Sequence, residues 1–154
     1  MENAKRVVRE GTMHLPARPE QVFPLLCPVR EYEWIPTWRA RIVYTESGFA
    51  EAGCVFATPA DGVREAVWTV SRYEPEAGVI EFVVVAPGVM VTKLDIALHE
   101  TDGGTRAVWR RTLTALSPQG ERAVEAVTPE AFATLLAGLA AQLDHYLRTG
   151  TALC

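Results

Sequence analysis

Arg111 is the side chain best placed to hold an anionic or carbonyl group inside this protein. Thr101-Asp102-Gly103-Gly104 has the composition of a turn between two segments with alternating apolar residues. A four-residue loop there sets Glu100 opposite Thr105, and the same register sets Leu94 opposite Arg111. The remaining pairs predicted on this apolar face are Ile96 with Trp109 and Leu98 with Ala107. The guanidinium is therefore expected to point into the interior.

Two more charged residues are expected beside that arginine. A two-residue loop at Pro87-Gly88 brings Glu81 opposite Leu94, and a four-residue loop over 75–78 sets Arg72 opposite Glu81. The three charged groups would then form a polar cluster in the wall of a cavity. A guanidinium fork in such a place binds a carboxylate, a phosphate or a ketone oxygen.

This polar cluster has two alternative interpretations. In the first, the charged groups form a satisfied structural pair that has no ligand. In the second, a β-bulge turns Glu81 outward and Phe82 inward. The second alternative is attractive because Ile80, Phe82 and Val84 would otherwise face solvent.

Bulky aromatic residues supply apolar area with polar handles near these strands. They are Trp34, Trp38, Tyr44, Phe56, Trp68 and Trp109. At ligand sites such side chains line the walls and orient the bound molecule. The alternative is that they only fill the core.

Known catalytic and metal-binding motifs are missing from the sequence. Cys27, Cys54 and Cys154 are far apart with no C-x-x-C, and the three histidines have no ligand spacing. There is no phosphate-binding glycine loop and no nucleophile motif. We therefore expect no metal and no cofactor, and the sequence assigns no catalytic residue.

Length and composition indicate one soluble globular domain over residues 1–154. Hydrophobic residues make up 49% of the 154 residues and charged residues 22%, which argues against disorder. A net charge of −4 argues against a nucleic-acid partner, and no apolar run reaches the roughly 20 residues of a membrane span. The start of the chain does not resemble a signal peptide, so a cytoplasmic location is expected.

The residue pattern predicts an α+β protein. A strand over 5–15 is followed by two short helices, one beginning at Pro19 and one over 30–35. Six more strands follow, separated by short turns that favour antiparallel hairpins; their predicted ranges are 39–47, 53–58, 64–74, 78–86, 89–100 and 105–115. A final helix over 129–148 has one continuous apolar face, which must be buried against the concave face of the sheet.

Several short segments carry a resemblance to a known superfamily. They are Pro19-Glu20-Gln21-Val22-Phe23, Trp34-Ile35-Pro36-Thr37-Trp38, Val67-Trp68-Thr69-Val70 with Tyr73-Glu74-Pro75, Gly104-Thr105-Arg106, and Thr112-Leu113-Thr114-Ala115-Leu116. With the order of elements, they resemble a bacterial-type branch of the START-like or SRPBCC superfamily, which includes birch-pollen-allergen-like and polyketide cyclase/dehydrase-like proteins. The resemblance implies a helix-grip fold, in which a seven-stranded curved antiparallel sheet wraps around the C-terminal helix. It also implies an internal cavity for lipids, polyketides or other hydrophobic molecules.

The first functional hypothesis is therefore the binding of a small hydrophobic lipid, polyketide or aromatic ligand between the sheet and the C-terminal helix. The candidate ligand-contacting residues are Trp34, Trp38, Tyr44, Phe56, Trp68, Arg72, Glu81, Leu94, Trp109, Arg111, Phe132, Leu136, Leu139 and Leu143.

Two other functional classes remain open. One is a cyclase or dehydratase acting on a polyketide-like or aromatic substrate, in which Arg111 or Arg72 stabilises an enolate and Glu81 or Tyr44 moves a proton. The other is a protein-interaction module that uses the outer face of the strand over 78–86. The protein is expected to be a monomer or a homodimer.

Overall fold

One antiparallel sheet and one long helix make up most of the protein in the computed structural model, which describes residues 2–154. The strands are β1 (Arg6–Leu15), β2 (Arg41–Tyr44), β3 (Val55–Ala60), β4 (Val63–Glu74), β5 (Val79–Ala86), β6 (Met90–Thr101) and β7 (Gly104–Ala115). The helices are α1 (Pro19–Val22), α2 (Pro118–Ala126) and α3 (Pro129–Thr149), with 3-10 turns at Phe23–Leu25 and Glu31–Glu33. The sheet order is β1-β7-β6-β5-β4-β3-β2. The predicted α+β helix-grip fold is confirmed.

The register predicted for the β6–β7 hairpin is confirmed. Leu94 lies opposite Arg111 and Ile96 lies opposite Trp109. Leu94, Ile96 and Trp109 are all buried on the concave face of the sheet. Arg111 therefore faces inward, as its sequence position indicated.

The register predicted for the β5–β6 hairpin is wrong by one residue. Ala86 pairs with Met90, so the loop has three residues rather than two, and the Val89 backbone N–H donates to the Ala86 carbonyl at 2.9 Å. Phe82 consequently lies opposite Leu94 and Glu81 lies opposite Asp95. A shift of one residue exchanges the two faces of a strand. Glu81 thus points outward and Phe82 inward, as the second alternative proposed.

A bulge in β4 produces the same outcome on the neighbouring strand. Arg72 does lie opposite Glu81, as predicted, but the register shifts between Val70 and Arg72. Val70 pairs with the inward-facing Phe82, so Arg72 follows Glu81 to the outer face. The predicted interior cluster of Arg72, Glu81 and Arg111 does not form.

Helix α3 closes the concave face of the sheet. The Thr128 hydroxyl caps its first turn by accepting from the Ala131 backbone N–H at 3.1 Å, and Gly150 ends it in the left-handed conformation at φ 75°. Phe132, Leu136 and Leu143 are its buried residues. Each such side chain contributes about 1.5–3 kcal/mol when it leaves water, so burial of this face keeps the helix on the sheet.

Helix α2 was not predicted. The Ser117 hydroxyl accepts from the Gly120 backbone N–H at 3.1 Å, and Pro118 occupies the first helical position.

Among residues 2–154 no single helix is long and apolar enough to cross a bilayer. Only α2 and α3 taken together, bent by 65° to each other, reach that length and composition.

Candidate functional site

A cavity of about 180 Å³ lies between the concave face of the sheet, the Glu31–Glu33 turn and α3. Its aromatic wall consists of Trp34, Trp38, Phe56, Trp68, Phe82 and Trp109. Ile35, Leu94, Ile96, Leu135 and Leu139 complete the apolar lining. The two charged residues that line it are Glu31 and Arg111. All four tryptophans of the chain therefore line one cavity.

A second pocket of about 170 Å³ shares Trp68, Leu94 and Arg111 with this cavity. Its remaining lining comes from residues of β3 to β6, among them Thr58, Ala66 and Thr92. The guanidinium of Arg111 is thus common to both spaces.

The aromatic wall is held in place by ring contacts. The rings of Phe56 and Trp68 are stacked, with centroids 5.2 Å apart and planes at 21°. Phe82 meets Trp68 edge-on at 5.7 Å and Phe56 at 6.2 Å. Such packing fixes the shape of the wall and presents flat surfaces to a ligand.

Three of the four indole N–H groups have partners within the protein. Trp34 donates to the Leu25 carbonyl at 3.0 Å, Trp38 to the Pro28 carbonyl at 2.8 Å, and Trp68 to the Thr58 hydroxyl at 2.9 Å. The Nε1–H of Trp109 differs, because it is buried and has no acceptor within residues 2–154. Leaving a buried donor unpaired costs about 1–3 kcal/mol, so this group is available to an acceptor in the cavity.

Arg111 is the second unpartnered donor. Within residues 2–154 no hydrogen bond or ion pair involves its guanidinium, and burial alone lowers its pKa. The neighbouring Arg110 points to the other face and is exposed. An inward cation without a counter-ion is costly in a folded protein. The cavity therefore presents positive charge and hydrogen-bond donors to whatever enters it.

Glu31 lies on the opposite element, in the turn that covers the cavity. Burial raises the pKa of its carboxyl from 4.5 to about 8, and none of the other described residues forms a hydrogen bond or ion pair with its side chain. Glu31 is not among the site residues predicted from the sequence. Its position three and four residues before Trp34 and Ile35 was the available indication, since residues at that spacing share one face of a turn.

Glu33 has the contrary environment although it is two residues away. Its carboxylate accepts from Arg30 and, at 2.6 Å, from the Tyr146 hydroxyl of α3. The hydrogen bonds from Arg30 and Tyr146 lower its pKa. Through these hydrogen bonds, Arg30, Glu33 and Tyr146 connect the turn above the cavity to the C-terminal part of α3.

The structure brings most of the sequence-predicted residues together around the cavity. Those that line it are Trp34, Trp38, Phe56, Trp68, Leu94, Trp109, Arg111 and Leu139. Phe132 and Leu136 instead line a groove of about 620 Å³ between α3 and β1, and Leu143 is fully buried in the core. The rotation of α3 directs Leu135 and Leu139 to the cavity.

The three remaining predicted residues lie on the outer surface of the protein. Tyr44 is 55% exposed on the edge strand β2, where its hydroxyl donates to Glu46 at 2.9 Å. Arg72 pairs with Glu74 at 2.9 Å. Glu81 pairs with Lys93 at 3.4 Å and accepts from the Ser71 hydroxyl at 2.9 Å. Neither Glu81 nor Tyr44 can move a proton inside the cavity, which corrects that part of the enzymatic hypothesis.

Metal binding finds no support in the arrangement of side chains. No group of three or more His, Cys, Asp or Glu side chains that could hold a metal ion occurs within the described 2–154 range. All three cysteines are free thiols, with Cys27 and Cys54 buried.

Solved structures of low sequence identity share this fold. Ara h 8.0201 superposes with a TM-score of 0.68 at 15% identity, over 94% of this chain and 99% of that chain. The ZhuI aromatase/cyclase from Streptomyces sp. R1128 superposes with a TM-score of 0.67 at 15% identity, over 97% and 100%. Norcoclaurine synthase from Thalictrum flavum gives 0.64 at 12% identity, over 90% and 86%. At these identities the likeness shows the fold alone.

Sequence comparison places the chain in a family. No curated protein sequence matches it. The family model for polyketide cyclase/dehydrase and lipid transport proteins matches residues 6–147, which is nearly the whole chain. Because this match covers every strand and most of α3, the chain belongs to the polyketide cyclase/dehydrase and lipid transport family, within the START-like superfamily that its sequence resembles.

Proposed function

We propose that the protein binds a small, flat, apolar molecule whose oxygen acceptor lies against Arg111 and Trp109. The observation that carries this proposal is the pair of unpartnered donors, the Arg111 guanidinium and the Trp109 indole N–H, inside an aromatic cavity. Both groups can only donate, so the ligand must accept. A carboxylate, a phenolate or a ketone satisfies both groups.

The dimensions of the cavity support a small ligand. An apolar cavity of about 150 Å³ is large enough to bind benzene. The 180 Å³ cavity therefore suits one aromatic ring or two fused rings, and the adjoining 170 Å³ pocket suits a substituent. A long polyketide chain or a two-chain lipid would need the protein to open further.

The sequence-based expectation of a cytoplasmic protein is part of this proposal. Cys27 and Cys54 are buried as free thiols. Free thiols persist in a reducing compartment, which supports binding of the ligand in the cytoplasm.

Binding of 2-naphthoate, measured by titration calorimetry, tests the proposal. We expect the Arg111→Met variant to bind 2-naphthoate about 10- to 100-fold more weakly, because charged hydrogen bonds of about 1.5–3 kcal/mol are lost. The uncharged methyl ester keeps a carbonyl acceptor but no charge, so Arg111→Met should weaken its binding less than that of 2-naphthoate. Quenching of tryptophan emission should accompany binding, since every tryptophan lines the cavity.

Arg110→Met is the matched control, because Arg110 is adjacent on β7 but faces solvent. It should bind 2-naphthoate as the wild-type protein does. Equal binding by Arg111→Met, or no binding to the wild-type protein, would contradict the proposed site.

An enzyme of the cyclase or dehydratase class is the second candidate. Arg111 could stabilise the oxygen of an enolate in this position. The residues first proposed to move a proton, Glu81 and Tyr44, do not reach the cavity. This candidate therefore depends on whether another proton-transfer group faces Arg111.

A further inference from the structure

Glu31 is a titratable residue that ligand anchoring by Arg111 does not require. It lines the same cavity as Arg111 and Trp109 but belongs to the covering turn rather than to the sheet. Its neighbours in the cavity lining include Trp34, Ile35 and the α3 leucines. A leucine or glutamine would fill that position without burying an unpaired acid.

The charged groups around Glu31 leave it as the one carboxyl facing the cavity among the described residues. On its own turn, Arg30 and Glu33 bind each other, and Tyr146 of α3 binds Glu33. From the sheet, Arg111 is the charged residue that lines the cavity. Burial is the only cause of the raised Glu31 pKa, and the Arg111 guanidinium does not contribute to it. Glu31 and Arg111 therefore face a common space without forming an ion pair.

We propose that Glu31 is a proton-transfer residue that acts on a ketone with one or two rings whose oxygen lies against Arg111 and Trp109, which makes this inference dependent on the proposed ligand site. A cavity that holds one or two rings places the carbon next to the carbonyl within reach of the opposite wall. Glu31 is on that wall. The substrate class is a one- or two-ring ketone with an acidic C–H beside the carbonyl.

The proposed step is enolisation. The C–H bond breaks, its proton moves to a carboxylate oxygen of Glu31, and its electron pair forms the C=C bond of an enolate. The carbonyl oxygen gains the negative charge, which the guanidinium of Arg111 and the N–H of Trp109 stabilise. The protonated Glu31 carboxyl exchanges its proton with solvent water, and delivery of a proton from Glu31 to the same carbon restores the ketone and the Glu31 carboxylate. In D₂O the delivered particle is a deuteron. No oxidant, reductant or second substrate takes part.

The pKa of Glu31 suits a base for a weak carbon acid. Because its pKa is about 8, Glu31 is ionised in part of the protein molecules at neutral pH, and these molecules can accept a proton. The Glu31 carboxylate is also a stronger base than that of an ordinary glutamate. The exchange rate should therefore rise with pH and level off above about 8.

Hydrogen–deuterium exchange of 2-tetralone in D₂O, followed by NMR, tests the inference. We expect the wild-type protein to accelerate exchange beside the carbonyl over buffer. Glu31→Gln should lose about 100-fold or more of that acceleration while still quenching its tryptophan emission with 2-tetralone, because general acid–base catalysis contributes about 10²–10⁴. Arg111→Met should weaken both binding and exchange.

Glu81→Gln is the control, because that carboxyl lies on the outer face of the sheet. It should exchange 2-tetralone at the wild-type rate. If the wild-type protein binds 2-tetralone without accelerated exchange, or if Glu31→Gln exchanges it equally fast, the role of Glu31 is wrong and the ligand site stands. If 2-tetralone neither binds nor exchanges, the ketone-binding site and the role of Glu31 are both wrong.

Discussion

At the scale of single residues, the environment separates two glutamates that the sequence presents as equivalent. Glu31 and Glu33 lie in one 3-10 turn. The carboxyl of Glu31 lines an apolar cavity, so burial raises its pKa. Glu33 accepts hydrogen bonds from Arg30 and Tyr146, which lower its pKa. One residue is thereby suited to carry a proton at neutral pH and the other to form a fixed charged contact.

This difference predicts how stability depends on pH. The Glu31 carboxyl ionises near 4.5 in the unfolded chain and near 8 in the folded protein. Between these values the folded state binds more protons, so wild-type stability falls as pH rises. Glu31→Gln removes this loss. In urea unfolding it should match the wild-type protein near pH 4.5 and be more stable above pH 8, by on the order of 3 kcal/mol.

Glu33→Gln should show the opposite sign. A lowered folded-state pKa stabilises the protein above the ordinary pKa of the group, and this contribution is lost as pH falls. Glu33→Gln should therefore destabilise the protein at neutral pH, by under about 1 kcal/mol because the pair is partly exposed. An equal response of the two variants to pH would show that burial does not raise the pKa of Glu31.

At the scale of elements, the two C-terminal helices each contain a glycine, and the surroundings of these two glycines differ. Helix α2 approaches the β5–β6 loop so closely that a Cβ on Gly120 would overlap the carbonyl oxygen of Val89. Gly138 in α3 lies on the solvent side, where an added Cβ would meet nothing within 4 Å. The first glycine is required by a backbone contact, whereas the second only weakens its helix.

Alanine substitutions should separate these two glycines. Gly120→Ala should destabilise the protein by about 2–3 kcal/mol, because backbone rather than a flexible side chain must move. Gly138→Ala should stabilise it by about 1 kcal/mol through helix propensity. Chemical denaturation followed by circular dichroism measures both changes. A neutral Gly120→Ala substitution would mean that α2 does not dock against Val89.

At the scale of the whole molecule, the packing of the sheet and α3 leaves a cavity of about 180 Å³ beside the core. The Arg111 guanidinium and the Trp109 indole N–H are left without partners by this arrangement. The fold therefore gives up some stability at the site, which an acceptor-bearing ligand can restore.

The outward residues of β5 include Val83 and Val85, both only partly buried. An interaction role for that face, and the monomeric or dimeric state, remain predictions.

Ligand binding should raise the thermal stability of the whole protein. A ligand present at 100 times its Kd adds about 2.7 kcal/mol. In a chain of this size such a gain should raise Tm by about 5–10 °C. Scanning calorimetry with increasing 2-naphthoate measures the shift, and Arg111→Met at equal ligand concentration should shift less. A Tm independent of 2-naphthoate concentration would contradict the ligand site.

Local pattern was sufficient for most of the architecture. The alternation of apolar residues located the strands, and Thr128 with Pro129 marked the start of α3. The Thr101–Gly104 turn fixed the β6–β7 register. Thr101 pairs with Gly104, so the loop has two residues rather than the four expected, but both loops have the same centre and therefore give the same strand pairing. Arg111 could therefore be placed inside from the sequence.

Tertiary structure decided what surrounds that arginine. The three-residue β5–β6 loop and the bulge in β4 moved Glu81 and Arg72 to the outer face, and the sequence had left the alternatives open. Glu31 faces the cavity because its turn packs over the sheet beside α3. The sequence by itself determined the elements and one hairpin register, since these follow from neighbours along the chain. Only the tertiary structure decided which polar groups share the cavity, because that depends on loop geometry and helix packing between residues far apart in sequence.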